Sequence, residues 1–323
     1  MDFTLSGEAR DLAALTRDLA ASGRPLWPAL AEAGVLAAAL PKRAGGEGYG
    51  PLEQYAILIE LGRAAATVPY LPSIVAAAST LARFGTDEQV AEWAVPAGRG
   101  ELVLTAGLIP APGAAQAALI PVPAAAQAAL ILVPVGPDVL LVRPGDPGVT
   151  VEPQRVEGGP GSGLLRLENA SGPRLTGAAD WLAAHTTVGA CAAQLGVVER
   201  ACEMTAEYAR SRVQFGRAIG SFQAVSQRLA DAHIDVEGLR LTLWQAAWLL
   251  SEDRPAASEV ATAGFWAAEA GHRVLHSAVH IHGGVGLDVA YPLHRYFLAA
   301  KYHEFLLGGA TGQLLALAET FPR

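Results

Sequence analysis

An arginine-rich stretch is the first candidate for chemistry. Residues 210–223 read RSRVQFGRAIGSFQ, which places Arg212, Phe215 and Gly216 close together and ends at Gln223. A purely structural loop rarely needs several planar guanidinium groups beside a tight turn. Arginine forks donate paired, charge-assisted hydrogen bonds to phosphate oxygens, and a pyrophosphate offers several such oxygens. The stretch therefore predicts a binding site for a diphosphate-bearing ligand.

A glycine-rich stretch nearer the C-terminus is the second candidate. Residues 280–297 read HIHGGVGLDVAYPLHRYF and begin with His280, followed closely by Gly283 and Gly284. Glycine has no Cβ, so its backbone amides can approach a ligand closely. A lone glycine pair is also typical of an ordinary helix C-terminus. Together with the arginine-rich stretch, the pair favours a cofactor that carries phosphate groups.

A row of histidines offers a third kind of chemistry. His272, His276 and His280 recur every four residues, a spacing at which imidazoles on one helix face can share a metal ion. No carboxylate or cysteine joins them at ligand spacing. Packed or interface histidines are therefore the favoured interpretation, and no metal site is predicted. The sequence contains no nucleophile elbow, Walker loop or Gly-x-Gly-x-x-Gly motif.

Composition narrows the class of protein. The chain has 323 residues, of which 51% are hydrophobic, and a net charge of -8 that argues against a nucleic-acid partner. Its two cysteines, Cys191 and Cys202, are expected to be buried free thiols in a reducing compartment. The acidic N-terminal segment does not resemble a signal peptide, and no uninterrupted apolar run is long enough for a membrane span. These features predict a soluble protein of the cytoplasm.

Hydrophobic periodicity divides the chain into three predicted domains. Residues 1–100 are mostly helical, with a helix start at Ser6 and another at Pro51. Residues 101–178 contain short β-branched runs separated by proline and glycine, which predict a small, mostly antiparallel sheet or barrel. Residues 179–323 contain long amphipathic segments joined by short loops, which predict an antiparallel four-helix bundle. The predicted fold is mainly α with a small β domain.

The two candidate stretches closely resemble motifs of the acyl-CoA dehydrogenases. The first reads R-x-x-F-G-x-x-I-x-x-F-Q from Arg212 to Gln223, and the second reads H-G-G-x-G from His282 to Gly286. The segment ALPKRAGGEGYGPLEQYAILIELGRA, residues 39–64, is similar to an N-terminal segment of that family. The helix–sheet–helix order matches along the whole chain.

This resemblance implies an acyl-CoA dehydrogenase-like fold, with FAD bound among the three domains and its ADP half reaching the bundle of a neighbouring subunit. The carried-over motifs imply that Arg212 grips the pyrophosphate, Phe215 packs on the cofactor and Gln223 supports the loop. The backbone of residues 280–284 would contact the ADP portion. The expected cofactor-binding residues are Arg212, Phe215, Gln223, His280, Gly283 and Gly284.

The reaction implied by the resemblance is α,β-dehydrogenation of an acyl-CoA thioester. In the family a glutamate removes the α-proton while the β-hydride passes to the flavin, and an acceptor flavoprotein then takes the electrons. Aligned without gaps from Lys301, the usual glutamate position falls on Leu307, and a second family location falls on Thr186. The flavin- and CoA-contacting loop of the family corresponds to GLIPAPGAA, residues 107–115, without its threonine, glutamate and serine. The sequence therefore predicts no catalytic residue in this chain.

Loss of the base beside retained ADP-binding motifs suggests a subunit that completes a partner's FAD site. The family provides a precedent in bacterial α₂β₂ heterotetramers that act on thioesters of bulky steroid side chains. Two alternatives stay open. One is a self-sufficient homodimeric dehydrogenase that uses Asp180 or His185 as its base, and the other is a non-redox acyl-CoA binding or scaffold protein.

Overall fold

The computed structural model describes residues 5–107 and 118–321, which form two compact units. The helix–sheet unit comprises Leu5–Ile57 and the described part of Thr67–Gly189. The bundle unit comprises Leu58–Ala66 and the chain from Ala190 onward. The predicted division into three domains, residues 1–100, 101–178 and 179–323, remains a prediction.

Short helices make up the first part of the helix–sheet unit. Ser6 caps α1 as predicted, because its Oγ accepts a hydrogen bond from the Ala9 amide at 2.9 Å. Pro51 opens α4, where its missing N–H costs nothing. Two π-helical segments, Leu71–Ala78 and Val90–Ala94, interrupt the later helices. The helices are α1 (Gly7–Ala21), α2 (Leu26–Glu32), α3 (Val35–Ala38), α4 (Pro51–Arg63), α5 (Ser79–Phe84), α6 (Asp87–Gln89) and α7 (Val95–Gly98).

Two small sheets complete this unit. The strands are β1 (Leu104–Ala106), β2 (Ala118–Pro123), β3 (Leu130–Val135), β4 (Asp138–Val142), β5 (Val149–Gln154), β6 (Ser162–Leu167) and β7 (Arg174–Leu175). One sheet has the order β1-β3-β4-β7 and the other β2-β6-β5. All neighbours are antiparallel except β1 and β3, so the sheets are mostly antiparallel, as predicted. Inward-facing apolar side chains, including Ile131, Val133 and Leu165, form a shared core.

Long helices form the bundle unit. They are α8 (Ala179–Ser211), α9 (Gln223–Ser251), α10 (Ala257–His282), α11 (Leu293–Leu306) and α12 (Gly309–Glu319). The first of them, α8, begins in the helix–sheet unit and continues into the bundle unit. The chain turns between α11 and α12. Gly308 and Gly309 cause the turn, because both adopt left-handed φ values of 75° and 71° that end a right-handed helix.

Among the described residues, one helix is long and apolar enough to cross a membrane by length and composition alone. It is α8, and 78% of its most apolar 18-residue window is buried inside the protein. That degree of burial is typical of a core helix in a globular fold.

Two glycines allow backbones to touch inside the bundle unit. A Cβ placed on Gly62, near the end of α4, would overlap the carbonyl oxygen of Ala193. A Cβ on Gly196 of α8 would overlap the carbonyl oxygen of Ile59. The two helix segments therefore cross at a distance that only glycine permits at these positions.

A buried polar cluster ties α8, α10 and α11 together. The Gln194 side-chain amide donates to the carbonyl oxygens of Ala267 and Ala300 at 3.2 and 3.3 Å. Its Oε1 lies 3.2 Å from Nδ1 of His303, which donates. A side chain on Gly271 would collide with the Gln194 amide, so the glycine makes room for this cluster. Every polar group of Gln194 is thus paired without water.

His303 makes the stability of the bundle unit sensitive to acid. Burial lowers the pKa of His303 from 6.5 to about 4, because a charged imidazolium would lose its hydration there. Between these values the unfolded chain binds a proton that the folded chain does not, so the free energy of unfolding falls by up to about 1.4 kcal/mol per pH unit as the pH drops. Urea unfolding at pH 7.5, 6.5, 5.5 and 4.5 measures this slope. His303→Gln keeps a donor for Gln194 but cannot titrate, and an undiminished slope in that variant would assign the effect elsewhere.

Candidate cofactor-binding site

A tight hairpin carries the arginine-rich motif between α8 and α9. Strands β8 (Val213–Gln214) and β9 (Arg217–Ala218) pair antiparallel, leaving Phe215 and Gly216 as a two-residue turn. Both residues have positive φ, 51° and 79°, as a type I′ turn requires. A left-handed backbone costs a residue with a Cβ about 1–2 kcal/mol, yet Phe215 adopts one with 92% of its surface exposed. Strain and exposure together mark Phe215 as a residue shaped for a ligand or partner.

Arginine side chains surround this hairpin. Arg212 is exposed at the end of α8, where its backbone amide donates to the Tyr208 carbonyl at 2.8 Å. Its carbonyl accepts from the Ile219 amide at 2.8 Å, which fixes the base of the hairpin. The Arg217 guanidinium stacks 4.1 Å above the Phe222 ring. The result is a positively charged loop with a fixed backbone.

The C-terminal end of α10 carries the glycine-rich motif. Gly283 has φ 65° and ψ -141°, a conformation that is essentially restricted to glycine. A Cβ on either Gly283 or Gly284 would meet no atom within 4 Å, so both backbones are open to an approaching ligand. His280, one turn earlier, is exposed.

An open groove of about 550 Å³ lies between α9 and α10. It is lined on the α9 side by Gln227 and Arg228, one turn after Gln223, and on the α10 side by His276, one turn before His280. Burial lowers the pKa of His276, and the neighbouring His272 and Lys301 charges act in the same direction. The groove therefore combines two arginines, Arg228 and Arg273, with two carboxylates, Asp231 and Asp235, and a mainly neutral imidazole.

The predicted cofactor-binding residues fit a diphosphate-bearing group such as FAD. The bundle unit offers an exposed guanidinium at Arg212, an exposed aromatic ring at Phe215 and open amides at Gly283 and Gly284. All six predicted residues are exposed, including Gln223 and His280. Surface placement of this kind suits a ligand that is also held by another surface.

Two segments of the chain, one N-terminal and one C-terminal, match models of a known family. Residues 8–101 match the acyl-CoA dehydrogenase N-terminal domain, and residues 177–321 match the acyl-CoA dehydrogenase C-terminal domain. Acyl-CoA dehydrogenase FadE27 of Mycobacterium tuberculosis is 46% identical, over 97% of each chain. The chain belongs to the acyl-CoA dehydrogenase family. Acyl-CoA dehydrogenase FadE28 of the same organism is 30% identical, again over 97% of each chain.

Solved structures support this acyl-CoA dehydrogenase assignment along the full length. A chain of the ChsE4-ChsE5 complex from Mycobacterium tuberculosis superposes with a TM-score of 0.93, at 46% identity and 100% coverage of both chains. A chain of the Tcur3481-Tcur3483 steroid ACAD G363A variant gives 0.89, at 34% identity and 98% coverage of both. Butyryl-CoA dehydrogenase from Megasphaera elsdenii, at 22% identity and a TM-score of 0.83, shares the fold.

Leu307 and Thr186, the residues that the sequence resemblance predicts at the family's two glutamate positions, carry no carboxylate. Leu307 is 6% exposed, and its carbonyl accepts a hydrogen bond from the Gln313 side chain at 2.6 Å. Thr186 is 3% exposed, and its hydroxyl donates to the Leu182 carbonyl at 2.6 Å. The Leu307 side chain cannot accept a proton, and a threonine hydroxyl is far too weak a base to do so at neutral pH.

The two alternative bases lie at the start of α8, in the helix–sheet unit. Asp180 is exposed. His185 is buried, stacks on Trp181 at 3.8 Å and shares a hydrogen bond of 3.0 Å between its Nδ1 and the Tyr55 hydroxyl. His185 and Trp181 also line a cavity of about 350 Å³. Of the predicted flavin loop, residues 107–115, all but Gly107 lie outside the described residues.

Several residues of the site escaped the sequence analysis. Arg228, in the groove, and Tyr208, near the end of α8, had no assigned role, and His276 was interpreted only as a packed or interface histidine. Arg228 has no sequence signal that separates it from the other exposed residues of α9. No local pattern marks Tyr208 either, because its importance comes from packing against a residue far along the chain.

Replacing Phe215 separates stability from cofactor binding. Asparagine tolerates the left-handed backbone that phenylalanine resists, so Phe215→Asn is expected to leave the free energy of unfolding equal or higher by about 0.5–1 kcal/mol. Loss of the exposed ring is expected to weaken FAD binding roughly tenfold in the assembled enzyme. Thermal unfolding and flavin fluorescence measure the two effects. Unchanged FAD affinity would show that Phe215 does not contact the cofactor.

Proposed function

We propose that this chain is the base-lacking subunit of an FAD-dependent acyl-CoA dehydrogenase, an oxidoreductase active as a heteromer. One combination carries the proposal: exposed ADP-binding motifs on the bundle unit, with Leu307 and Thr186 at the positions aligned with the base. A chain that keeps only half of an FAD site is useful where another chain supplies the rest. The similar structures named above contain pairs of proteins, ChsE4 with ChsE5 and Tcur3481 with Tcur3483.

Each proposed residue has a physical task in this arrangement. Arg212 neutralises and orients the pyrophosphate through its fork of N–H donors. Phe215 covers an apolar face of the cofactor and excludes water from it. The amides of Gly283 and Gly284 approach the ADP portion where side chains would block contact. FAD held there supplies the hydride acceptor for α,β-dehydrogenation of an acyl-CoA.

The partner supplies the remaining chemistry. A second acyl-CoA dehydrogenase subunit contributes the glutamate that removes the α-proton, and an α₂β₂ assembly with one FAD per αβ pair follows. The description of one similar structure as a steroid ACAD supports a bulky steroid side-chain thioester as substrate. An electron-acceptor flavoprotein then reoxidises the flavin.

Flavin counting tests the proposal directly. The chain purified alone is expected to bind little FAD, whereas co-expression with an acyl-CoA dehydrogenase encoded beside it should give a yellow complex with one FAD per pair. Turnover of acyl-CoA substrates with an artificial electron acceptor then measures activity. A yellow and active homo-oligomer with one FAD per chain contradicts the proposal, and a stable complex without turnover supports a scaffold role instead.

A second candidate function is favoured by the cavity beside His185. A buried imidazole that lines a cavity of about 350 Å³ could serve as the base of a self-sufficient dehydrogenase. In that case His185→Gln abolishes the activity of the isolated chain, and Asp180→Asn tests the other alternative base. Under the heteromer proposal, neither substitution removes proton abstraction by the complex.

A further inference from the structure

The two halves of the proposed ADP-binding surface are joined by an aromatic contact. In the bundle unit, the Tyr208 ring near the end of α8 stacks on the His282 ring at the end of α10, with centroids 4.3 Å apart and planes 20° from parallel. The Tyr208 hydroxyl also donates a long hydrogen bond of 3.5 Å to the His282 carbonyl. We refer to this pair, Tyr208 and His282, as the clasp.

His282 is held in one orientation. The residue is 4% exposed, and its Nδ1–H donates to the Ala278 carbonyl at 2.8 Å. Tyr291 packs against the ring at a centroid distance of 5.4 Å. Among the described residues its Nε2 has no hydrogen-bond partner, and burial lowers the pKa of the ring, which is therefore neutral at pH 7. A flat neutral ring packed in this way acts through its shape and stacking.

Each side of the clasp adjoins one binding motif. The Tyr208 carbonyl accepts a hydrogen bond from the backbone amide of Arg212 at 2.8 Å, so the tyrosine lies one helical turn before the arginine proposed to bind the pyrophosphate. His282 immediately precedes Gly283 and Gly284. A Cβ on Gly286 would lie 3.0 Å from the His282 Cβ, so the turn that follows is packed closely against the histidine. Moving either ring would therefore move one motif relative to the other.

We propose that Tyr208 and His282 are positioning residues, which hold Arg212 and the Gly283–Gly284 amides at the separation that one ADP group can span. This inference rests on the proposed function. A ligand that contacts two pre-positioned sites loses less freedom on binding than one that must order them. Removing the clasp is thus expected to weaken FAD binding about 10- to 100-fold, although no clasp atom needs to touch the cofactor.

The test uses the assembled complex and measures its dissociation constant for FAD by flavin fluorescence, together with its melting temperature. Tyr208→Leu removes the stacked ring and is expected to weaken FAD binding at least tenfold. Tyr208→Phe keeps the ring and should restore affinity to within about threefold of the parent, because only the long hydrogen bond is lost. His282→Gln removes the other ring of the stacked pair, and it changes the polarity of the side chain less than Tyr208→Leu does.

Tyr296→Leu is the matched control. Tyr296 is another partly buried tyrosine of the bundle unit, and its hydroxyl donates to the carbonyl of Arg63, a residue of α4 that belongs to neither motif, at 2.7 Å. Its replacement should lower the melting temperature without changing the FAD affinity. A Tyr208→Leu variant that behaves like this control overturns the inference, because it would show a structural role alone.

A double-variant cycle adds a readout specific to positioning. Because Tyr208 acts through Arg212, Tyr208→Leu should cost much less FAD affinity when Arg212→Ala is already present. Full additivity overturns the inference. If the parent complex binds FAD and Arg212→Ala leaves its FAD affinity unchanged, the proposed function itself is contradicted. If Arg212→Ala weakens FAD binding but neither Tyr208→Leu nor His282→Gln does so, the inference about the clasp is wrong and the proposed function is not contradicted.

Discussion

Replacing Arg212 by alanine is expected to weaken FAD binding to the assembled enzyme at least about 100-fold, because two hydrogen bonds from one charged fork contribute about 1.5–3 kcal/mol each. The side chain is exposed at the end of α8, on a backbone fixed by hydrogen bonds to Tyr208 and Ile219. Its loss therefore changes the ligand contact more than the fold. Reconstitution of the apo-complex with FAD, followed by flavin fluorescence, gives the dissociation constants.

Two further variants give the Arg212 experiment its controls. Arg212→Lys keeps the charge but loses the planar fork, so its FAD affinity should fall between those of the parent and Arg212→Ala. Arg155→Ala removes an exposed arginine of the helix–sheet unit, paired with Glu157 at 2.8 Å, and should have no effect on FAD binding. Equal affinities for Arg212→Ala and Arg155→Ala would remove Arg212 from the cofactor site.

Replacing Gly196 by alanine is expected to reduce stability strongly. The added methyl group would occupy the position of the Ile59 carbonyl oxygen, which belongs to a backbone and cannot rotate away. Overpacking commonly costs 1–3 kcal/mol, and a backbone collision should cost about 3 kcal/mol or more, with a fall in melting temperature of about 6–12 °C. Differential scanning calorimetry of the complex and of the chain alone measures this loss.

Gly312→Ala is the matched control for that crossing. Gly312 lies inside α12, has an ordinary helical backbone and would meet no atom within 4 Å of a new Cβ. The same chemical change should therefore raise stability by up to about 1 kcal/mol, since alanine favours a helix more than glycine does. If both alanine variants melt alike, the α4–α8 crossing is looser than the structure indicates.

Local signals explain why much of the fold was predictable. Ser6 and Pro51 begin helices for reasons that act over a few residues, and the apolar repeats of α8, α9 and α10 identify their buried faces. The turn between α11 and α12 was harder to predict. Gly308 and Gly309 provide a left-handed turn between two helical segments, and helix propensity alone does not distinguish such a turn from a weak helix interior. Strand β2 pairs with distant β6, a contact that no local pattern in the sequence indicates.

The candidate site can be proposed from the sequence as a set of residues but not as an arrangement. Arg212 and the glycine pair are residue types that suit a phosphate-bearing ligand, and the family resemblance adds Phe215. The left-handed turn at Phe215 and the stacking of Tyr208 on His282 depend on backbone geometry and on contacts between distant parts of the chain. Such contacts leave no periodic signature in one sequence.

Phe215 is one of several strongly exposed apolar side chains on the bundle unit. The most exposed large apolar side chains of the described residues all belong to it: Phe215 at 92%, Phe305 at 77%, Val289 at 75% and Leu287 at 71%. Surfaces of this kind favour self-association when they are left uncovered. A cell that made this polypeptide in excess of its proposed companion would accumulate material prone to precipitation and proteolysis. Balanced synthesis of the two chains, such as translation from one messenger, would protect the enzyme as effectively as any stabilising mutation.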